Sequence, residues 1–247
     1  MPFWLLFCCL SLFSVSLDAQ EQPAPAPAGE STGTGTLTVL VDGVEGAPRD
    51  NVLAYLDINR FAGKSAPEET ELRWLHANAE RNIREALQPF GYYEPAIESS
   101  LNRTAGGWEA RYRIQLGHPV HIAAVDVRVL GEAAQDPVFQ KLLANLPLAK
   151  GQILDQPKYE QLKQNLETLA TERGYFDARF AERTIEIDLQ AYEAAIKLHY
   201  DTGKRYRFGD VTFKQSILSP KLLNRYPRFK PGDPYDANDL LKLQSDL

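Results

Sequence analysis

Chemistry in this chain would have to come from a small set of side chains. His118 and His121 stand three apart, a spacing at which two imidazoles can share a metal if a third ligand is near. Glu186, Asp188 and Glu193 bring three carboxylates into one short stretch, and paired carboxylates can run glycoside hydrolysis. Tyr92, Tyr93 and Tyr175 could line an aromatic cage. Each set has a plainer reading. No third ligand has useful spacing to the histidine pair, and His76 and His199 lie far off in sequence. The acids flank what reads as a hairpin turn, where carboxylates are solvated. The tyrosines follow glycines at helix ends, where rings pin a corner to a core. Glu68, Glu69 and Glu71 make an acidic helix start that suits the helix dipole. No G-x-S-x-G, Walker-type or dinucleotide motif occurs. The expectation is a non-enzymatic protein with no catalytic residue, no metal and no cofactor.

The rest of the composition narrows the class. The chain has 247 residues and a net charge of -6, so it lacks the basic stripe of a nucleic-acid binder. Residues 1–19 read as a signal peptide, with an apolar core too short to span a bilayer and Leu17-Asp18-Ala19 before the cut. No Lys or Arg precedes that core, so an uncleaved anchor is the alternative. Both cysteines, Cys8 and Cys9, lie inside it. The mature chain would then contain no disulfide or thiol, which fits an exported protein. Residues 20–36, rich in Pro, Gly, Ala and Thr, read as a disordered tether.

The elements follow from periodicity. Residues 37–41 form a short strand, 48–58 a short helix and 70–87 a longer helix stopped by Pro89 and Gly91. Residues 93–101 and 108–116 read as a hairpin around Ala105-Gly106-Gly107. Its second strand alternates strictly, with Trp108, Ala110, Tyr112, Ile114 and Leu116 on one face and Glu109, Arg111, Arg113 and Gln115 on the other. That pattern means helices on one side and solvent on the other. The order then restarts: a strand at 120–130 with Val125, Val127 and Val129 inward, a helix at 137–146, a helix at 156–173, and a hairpin of 176–187 and 192–200. Asp155 suits the N-cap of the long helix and Pro157 its first turn. Arg173 suits the negative end of its dipole, and Gly174 the left-handed cap.

The restart is a repeat. At a shift of 83, Ala79, Ile83, Ala86, Leu87, Gly91, Tyr92 and Tyr93 fall on Leu162, Leu166, Leu169, Ala170, Gly174, Tyr175 and Phe176. A third copy begins. Gly117, Val120, Ile122, Val125 and Val127 map onto Gly203, Tyr206, Phe208, Val211 and Phe213 at a shift of 86. Gly151, Asp155, Tyr159, Leu162 and Leu166 map onto Gly232, Asp236, Leu240, Leu243 and Leu247 at a shift of 81. The sequence given stops inside a helix, so the expectation is an N-terminal portion of a longer protein. The expected divisions are 37–117, 118–203 and a truncated 204–247.

Strand–helix–helix–strand–strand units with a Gly-aromatic step into the second strand resemble the POTRA domain, the periplasmic module placed before outer-membrane β-barrels. The carrying residues are Gly91-Tyr92-Tyr93 with Pro95, Lys150-Gly151, Arg173-Gly174-Tyr175-Phe176-Asp177 and the run from Gly203 to Phe213. Within the Omp85 superfamily the resemblance is to TamA-type arms. It implies an α+β fold of tandem POTRA domains, each a three-stranded sheet with two helices on one face. It also implies an outer-membrane location with this portion in the periplasm, and a β-barrel beyond this sequence. The implied partners are a TamB-like inner-membrane-anchored subunit and unfolded outer-membrane or autotransporter clients. The implied roles are barrel-protein assembly, translocation and support of lipid transport. A BamA-like or two-partner-secretion arm, and a soluble periplasmic enzyme or binding protein, are the alternatives.

Such modules need no catalytic group. Open sheet edges carry unpaired N–H and C=O groups, and an extended client can add itself as a further strand. The resemblance puts the last strand of each unit in the centre of its sheet. Residues 93–101 and 176–182 would then lie at edges. Pro95 removes a donor from the first, so Asp177, Ala178, Arg179, Phe180, Ala181 and Glu182 are the expected partner contact. Gly91, Tyr92, Tyr93, Gly174, Tyr175 and Phe176 are expected to be structural helix-to-strand corners. The short connectors at 117–120 and 203–206 predict units packed end to end in a stiff arm.

Overall fold

The computed structural model describes residues 35–215, 217 and 219–247. The leader at 1–19 lies outside these, as does the tether at 20–36 except for its last two residues. Thr36 belongs to the fold: it opens the first strand, opposite Gly107.

The first module runs β1 (Thr36–Asp42), α1 (Gly46–Tyr55), α2 (Glu69–Leu87), β2 (Ala96–Thr104) and β3 (Gly107–Gln115). Its sheet order is β1-β3-β2, with β1 parallel and β2 antiparallel to β3. A parallel pair requires a long crossover, and here the crossover is the two helices, which cover one face. Trp108, Ala110, Tyr112 and Ile114 on β3 are buried, as their alternation requires. They meet Leu72, Leu75, Ala79, Ile83, Ala86 and Leu87, one stripe of α2.

The second module repeats the plan: β4 (His121–Leu130), α3 (Pro137–Leu143), α4 (Gln156–Arg173), β5 (Arg179–Asp188) and β6 (Glu193–Asp201), with order β4-β6-β5. Its core is separate. Tyr159, Leu162, Leu166 and Ala170 of α4 close over Ala194, Ile196, Leu198 and Tyr200 of β6. Of the three valines expected inward on β4, Val129 is buried, while Val125 and Val127 are partly buried against the same core. Asp155 caps α4, its Oδ1 accepting the Lys158 N–H at 3.2 Å. The architecture is the α+β tandem that the resemblance implied.

Beyond β6 come α5 (Pro220–Leu223) and α6 (Ala237–Asp246). The residues that map onto the start of the second module, Tyr206 to Phe213, form no strand; an isolated bridge joins Arg207 to Pro234. In the two modules β1 and β4 are each held by a central strand, and among the described residues no strand pairs with 206–213. Phe208, Phe229 and Leu243 form a small cluster, with Phe208 stacked on Phe229 at 3.7 Å.

Candidate functional site

Two features of this fold stand out: the sheet edges left open among the described residues, and the joints that follow the two long helices. The joints begin at the corner glycines. Gly91 (φ 85°) and Gly174 (φ 82°) both end helical segments in the left-handed conformation. Each glycine carbonyl accepts an N–H from the segment that follows the preceding module: Val120, just before β4, on Gly91 and Tyr206 on Gly174, both at 2.8 Å. Three further backbone bonds recur at each joint. Leu154, Ile122 and Gly151 donate to Val120, Gln152 and Ile122; Tyr235, Phe208 and Gly232 donate to Tyr206, Asp233 and Phe208.

The aromatic doublet after each glycine divides its work. Tyr92 packs on the first core, and Tyr175 is buried in the second. Tyr93 instead packs on the second core, its hydroxyl accepting from Gln156 at 3.2 Å. Phe176 is half exposed and meets the edges of Tyr206 and Tyr235. In each doublet one ring packs back on its own module and the next lies toward the segment beyond. Only the backward member anchors its own module. In the first joint Tyr192, a non-glycine residue at φ 52°, adds a hydrogen bond from its hydroxyl to Glu94 Oε2 at 2.5 Å.

A Cβ on Gly91 would lie 3.0 Å from Ile153 Cγ2 and from the Leu154 carbonyl. Gly91→Ala therefore combines left-handed strain with a crowded joint. It should cost about 1–2 kcal/mol and broaden the amide resonances of Val120 and Leu154. Unchanged resonances there would refute this description of the joint.

The second joint carries a charge network that the helix-dipole reading of Arg173 missed. Arg173 Nε donates to Asp136 Oδ2 at 3.1 Å and its NH1 to Asp236 Oδ2 at 2.7 Å. Arg205 donates through Nε to the Arg173 carbonyl and through NH2 to the Tyr235 carbonyl, both at 2.7 Å, and lies 3.7 Å from Asp136. The Asp136 side chain is 3% exposed and caps α3 by accepting the Val138 N–H. Burial pushes its carboxyl up, but the Val138 N–H and the Arg173 and Arg205 guanidiniums together hold it below the usual carboxylate range. Tyr175 donates to the same carboxylate, and burial and that charge raise its phenol. These partners come from distant elements, so spacing along the chain offered no signal for them.

Both outer hairpin strands, β2 and β5, lie at edges, and so do β1 and β4. Pro95 stands one residue before β2, so the donor it lacks falls outside that edge. β2 pairs in unbroken register from Ala96 to Thr104. β5 is less regular in the segment picked from sequence. Asp177 and Ala178 precede the strand, and the register shifts between Phe180 and Glu182, leaving Ala181 bulged. From Glu182 to Asp188 the ladder is regular. Across the exposed sheet face, His199 on β6 ties all three strands: Nε2 lies 3.0 Å from Asp126 and Nδ1 3.2 Å from Glu182.

The residues weighed for chemistry are dispersed. The His118 ring lies tilted against Tyr192, their centres 5.3 Å apart, and His121 is exposed at the start of β4. Asp188 Oδ1 accepts the Gln190 and Ala191 N–H groups of its turn, and Glu186 pairs with Lys197 at 3.4 Å. Glu69 and Glu71 pair with Arg73 and Arg60. Among the described residues no helix is long and apolar enough to cross a membrane.

Comparison with known proteins matches the same two stretches. The family model described as POTRA domain TamA domain 1 covers residues 38–116. The POTRA model described as surface antigen variable number repeat covers residues 124–203. Among solved structures the chain is similar to BamA POTRA3-5 of Haemophilus influenzae, at 15% identity over 86% of this chain and 84% of that one, with a TM-score of 0.41. It is also similar to POTRA1-3 of the periplasmic domain of Omp85 from Anabaena, at 16% identity over 86% and 85%, TM-score 0.33. A third is CdiB from Escherichia coli, at 14% identity over 73% and 29%, TM-score 0.27.

Proposed function

The chain belongs to the POTRA-domain proteins, its first domain being of the type described for TamA, and from that premise we propose that it serves as the periplasmic arm of an outer-membrane protein that assembles or translocates other proteins. POTRA domains are protein-interaction modules of Omp85 proteins and periplasmic parts of outer-membrane proteins, which supports the location. In this reading a β-barrel follows the arm. A TamB-like inner-membrane-anchored subunit and unfolded barrel or autotransporter precursors are its partners, and support of lipid transport is part of the same role. Residues 204–247 open a third module; the recurrence of all four joint bonds at Gly174 supports this.

The observation that carries the proposal is the pair of sheets whose outer hairpin strands, β2 and β5, have no second strand neighbour among the described residues. Backbone groups there can hold an extended client whatever its side chains. Within Asp177–Glu182 the residues with ladder partners on β6 are Arg179, Phe180 and Glu182, and the regular edge continues to Asp188. The unbroken β2 edge, Ala96–Thr104, offers a longer regular run in the first module. Photocrosslinking residues placed singly along 96–104 and 179–188 of the whole protein in cells should trap a partner at alternating positions. Trapping on neither strand, with crosslinks only elsewhere, would sink the edge-pairing mechanism.

A further inference from the structure

The two joints share a frame but differ in what fills it. In the second, two guanidiniums occupy the space between the α4 end, the Tyr175 ring and the cap carboxylate of α6. Arg173 sits on Asp136 and Asp236, and Arg205 Cζ lies 5.8 Å from the Tyr175 ring centre. In the first joint Tyr92 stands where Tyr175 does, and Asp155 where Asp236 does. Both arginines are gone: Phe90 replaces Arg173 and Pro119 replaces Arg205. Ala47 and Pro48 lie in the first turn of α1, which has no side-chain cap bond, whereas Asp136 caps α3 and Pro137 opens it. The place left behind is a groove of about 580 Å³, lined by Ala47, Pro48, Phe90, Tyr92, Asp155 and Lys158 among others. The nearest cation is exposed Lys158, whose Nζ lies 3.2 Å from Asp155 Oδ2 on the same helix turn.

We propose that this groove receives an arginine side chain from a bound protein segment, in the position that the chain's own arginines occupy at the other joint. The guanidinium would pair with Asp155 and lie on Tyr92, with its methylenes along Phe90 and Pro48. The chemistry favours arginine over lysine. A planar guanidinium forks onto a carboxylate and stacks on a ring, and its stem is at home on apolar surface. The volume is within the usual range for a specific ligand site. The proposal rests on the protein-binding reading for the source of the arginine, but not for the chemistry of the groove.

The test uses the whole chain, isotope-labelled, titrated with the capped pentapeptide Ala-Ala-Arg-Ala-Ala and its lysine and norleucine counterparts. The arginine peptide should shift the amides of Gly151, Gln152 and Lys158 and bind roughly fivefold tighter than either counterpart. Asp155→Asn keeps the helix cap, since Asn caps as well as Asp, and should lose most of that preference. Lys158→Met removes the competing cation and should tighten binding by about twofold. Phe90→Arg supplies the missing guanidinium internally and should abolish binding. Equal binding of the norleucine peptide would overturn the proposal. So would shifts confined to the β2 or β5 edges, which would leave edge pairing intact, or groove shifts that follow protein concentration without peptide. Arginine-selective groove binding with no crosslink on either edge would keep the groove and remove the edge mechanism.

Discussion

Ile83→Ala should lower the stability of the first module by about 3–4 kcal/mol, the range for emptying a fully buried aliphatic site. It should leave the second module's unfolding where it was. The reason is the division of the interior. Ile83 is wholly buried among Leu72, Leu75, Ala79 and the β3 face, and Leu166, its repeat counterpart, is wholly buried in a different cluster. The chain supplies its own reporter. Trp74 and Trp108 are the tryptophans of the described residues, and both lie in the first module. Tryptophan emission during urea unfolding should move to lower denaturant in Ile83→Ala and stay nearly fixed in Leu166→Ala, while circular dichroism registers both. Equal movement of the emission curve in the two variants would mean that the modules melt as one unit.

Arg173→Met should cost about 2–3 kcal/mol. Breaking a fully buried pair costs roughly 3–5 kcal/mol, and the figure is lower here because the Arg173 side chain keeps 24% of its exposure. The Asp136 carboxylate would stay buried, with the Val138 N–H, the Tyr175 hydroxyl and the more distant Arg205 as its remaining partners. The pH dependence carries the sign. The folded carboxyl lies below its ordinary value, so its contribution is whole above about pH 4 and fades as pH falls through the lowered value. Wild type should lose part of its advantage over Arg173→Met in acid, and the two stabilities should converge. Parallel curves down to the lowest pH at which the protein folds would refute the role given to Asp136.

Most of the frame was legible because periodicity is local. The bounds of α4 agree with the sequence reading to the residue, and the buried residues of β3, Trp108, Ala110, Tyr112 and Ile114, are ones that alternation picked. Most strand starts lie within a residue of the reading, but those of the two outer hairpin strands were placed early. The outer hairpin strands were read from Tyr93 and Phe176 but begin at Ala96 and Arg179, three residues later in each module. Those residues are β-prone, yet their side chains turn to the next unit instead of joining the ladder. The short helix of the first module ends at Tyr55, and a 3-10 turn at Asp57–Phe61 takes over; α3 stops at Leu143 instead of 146. The Arg173 network and the Phe90 groove depend on residues brought together by folding, with Arg173 and Asp236 63 positions apart. No window of sequence displays that.

The corner glycine carbonyl has one more consequence. Main-chain atoms make the same crossing bond at both joints, from a corner glycine carbonyl to the N–H of Val120 or Tyr206, and three further bonds brace the receiving segment, so each unit carries its own plug and its own socket whatever side chains surround them. A gene that copies one unit in frame copies both halves of the coupling. The arm can therefore lengthen by duplication without inventing an interface, and side-chain drift, such as arginine at one joint and phenylalanine at the other, is free to give each coupling a separate task.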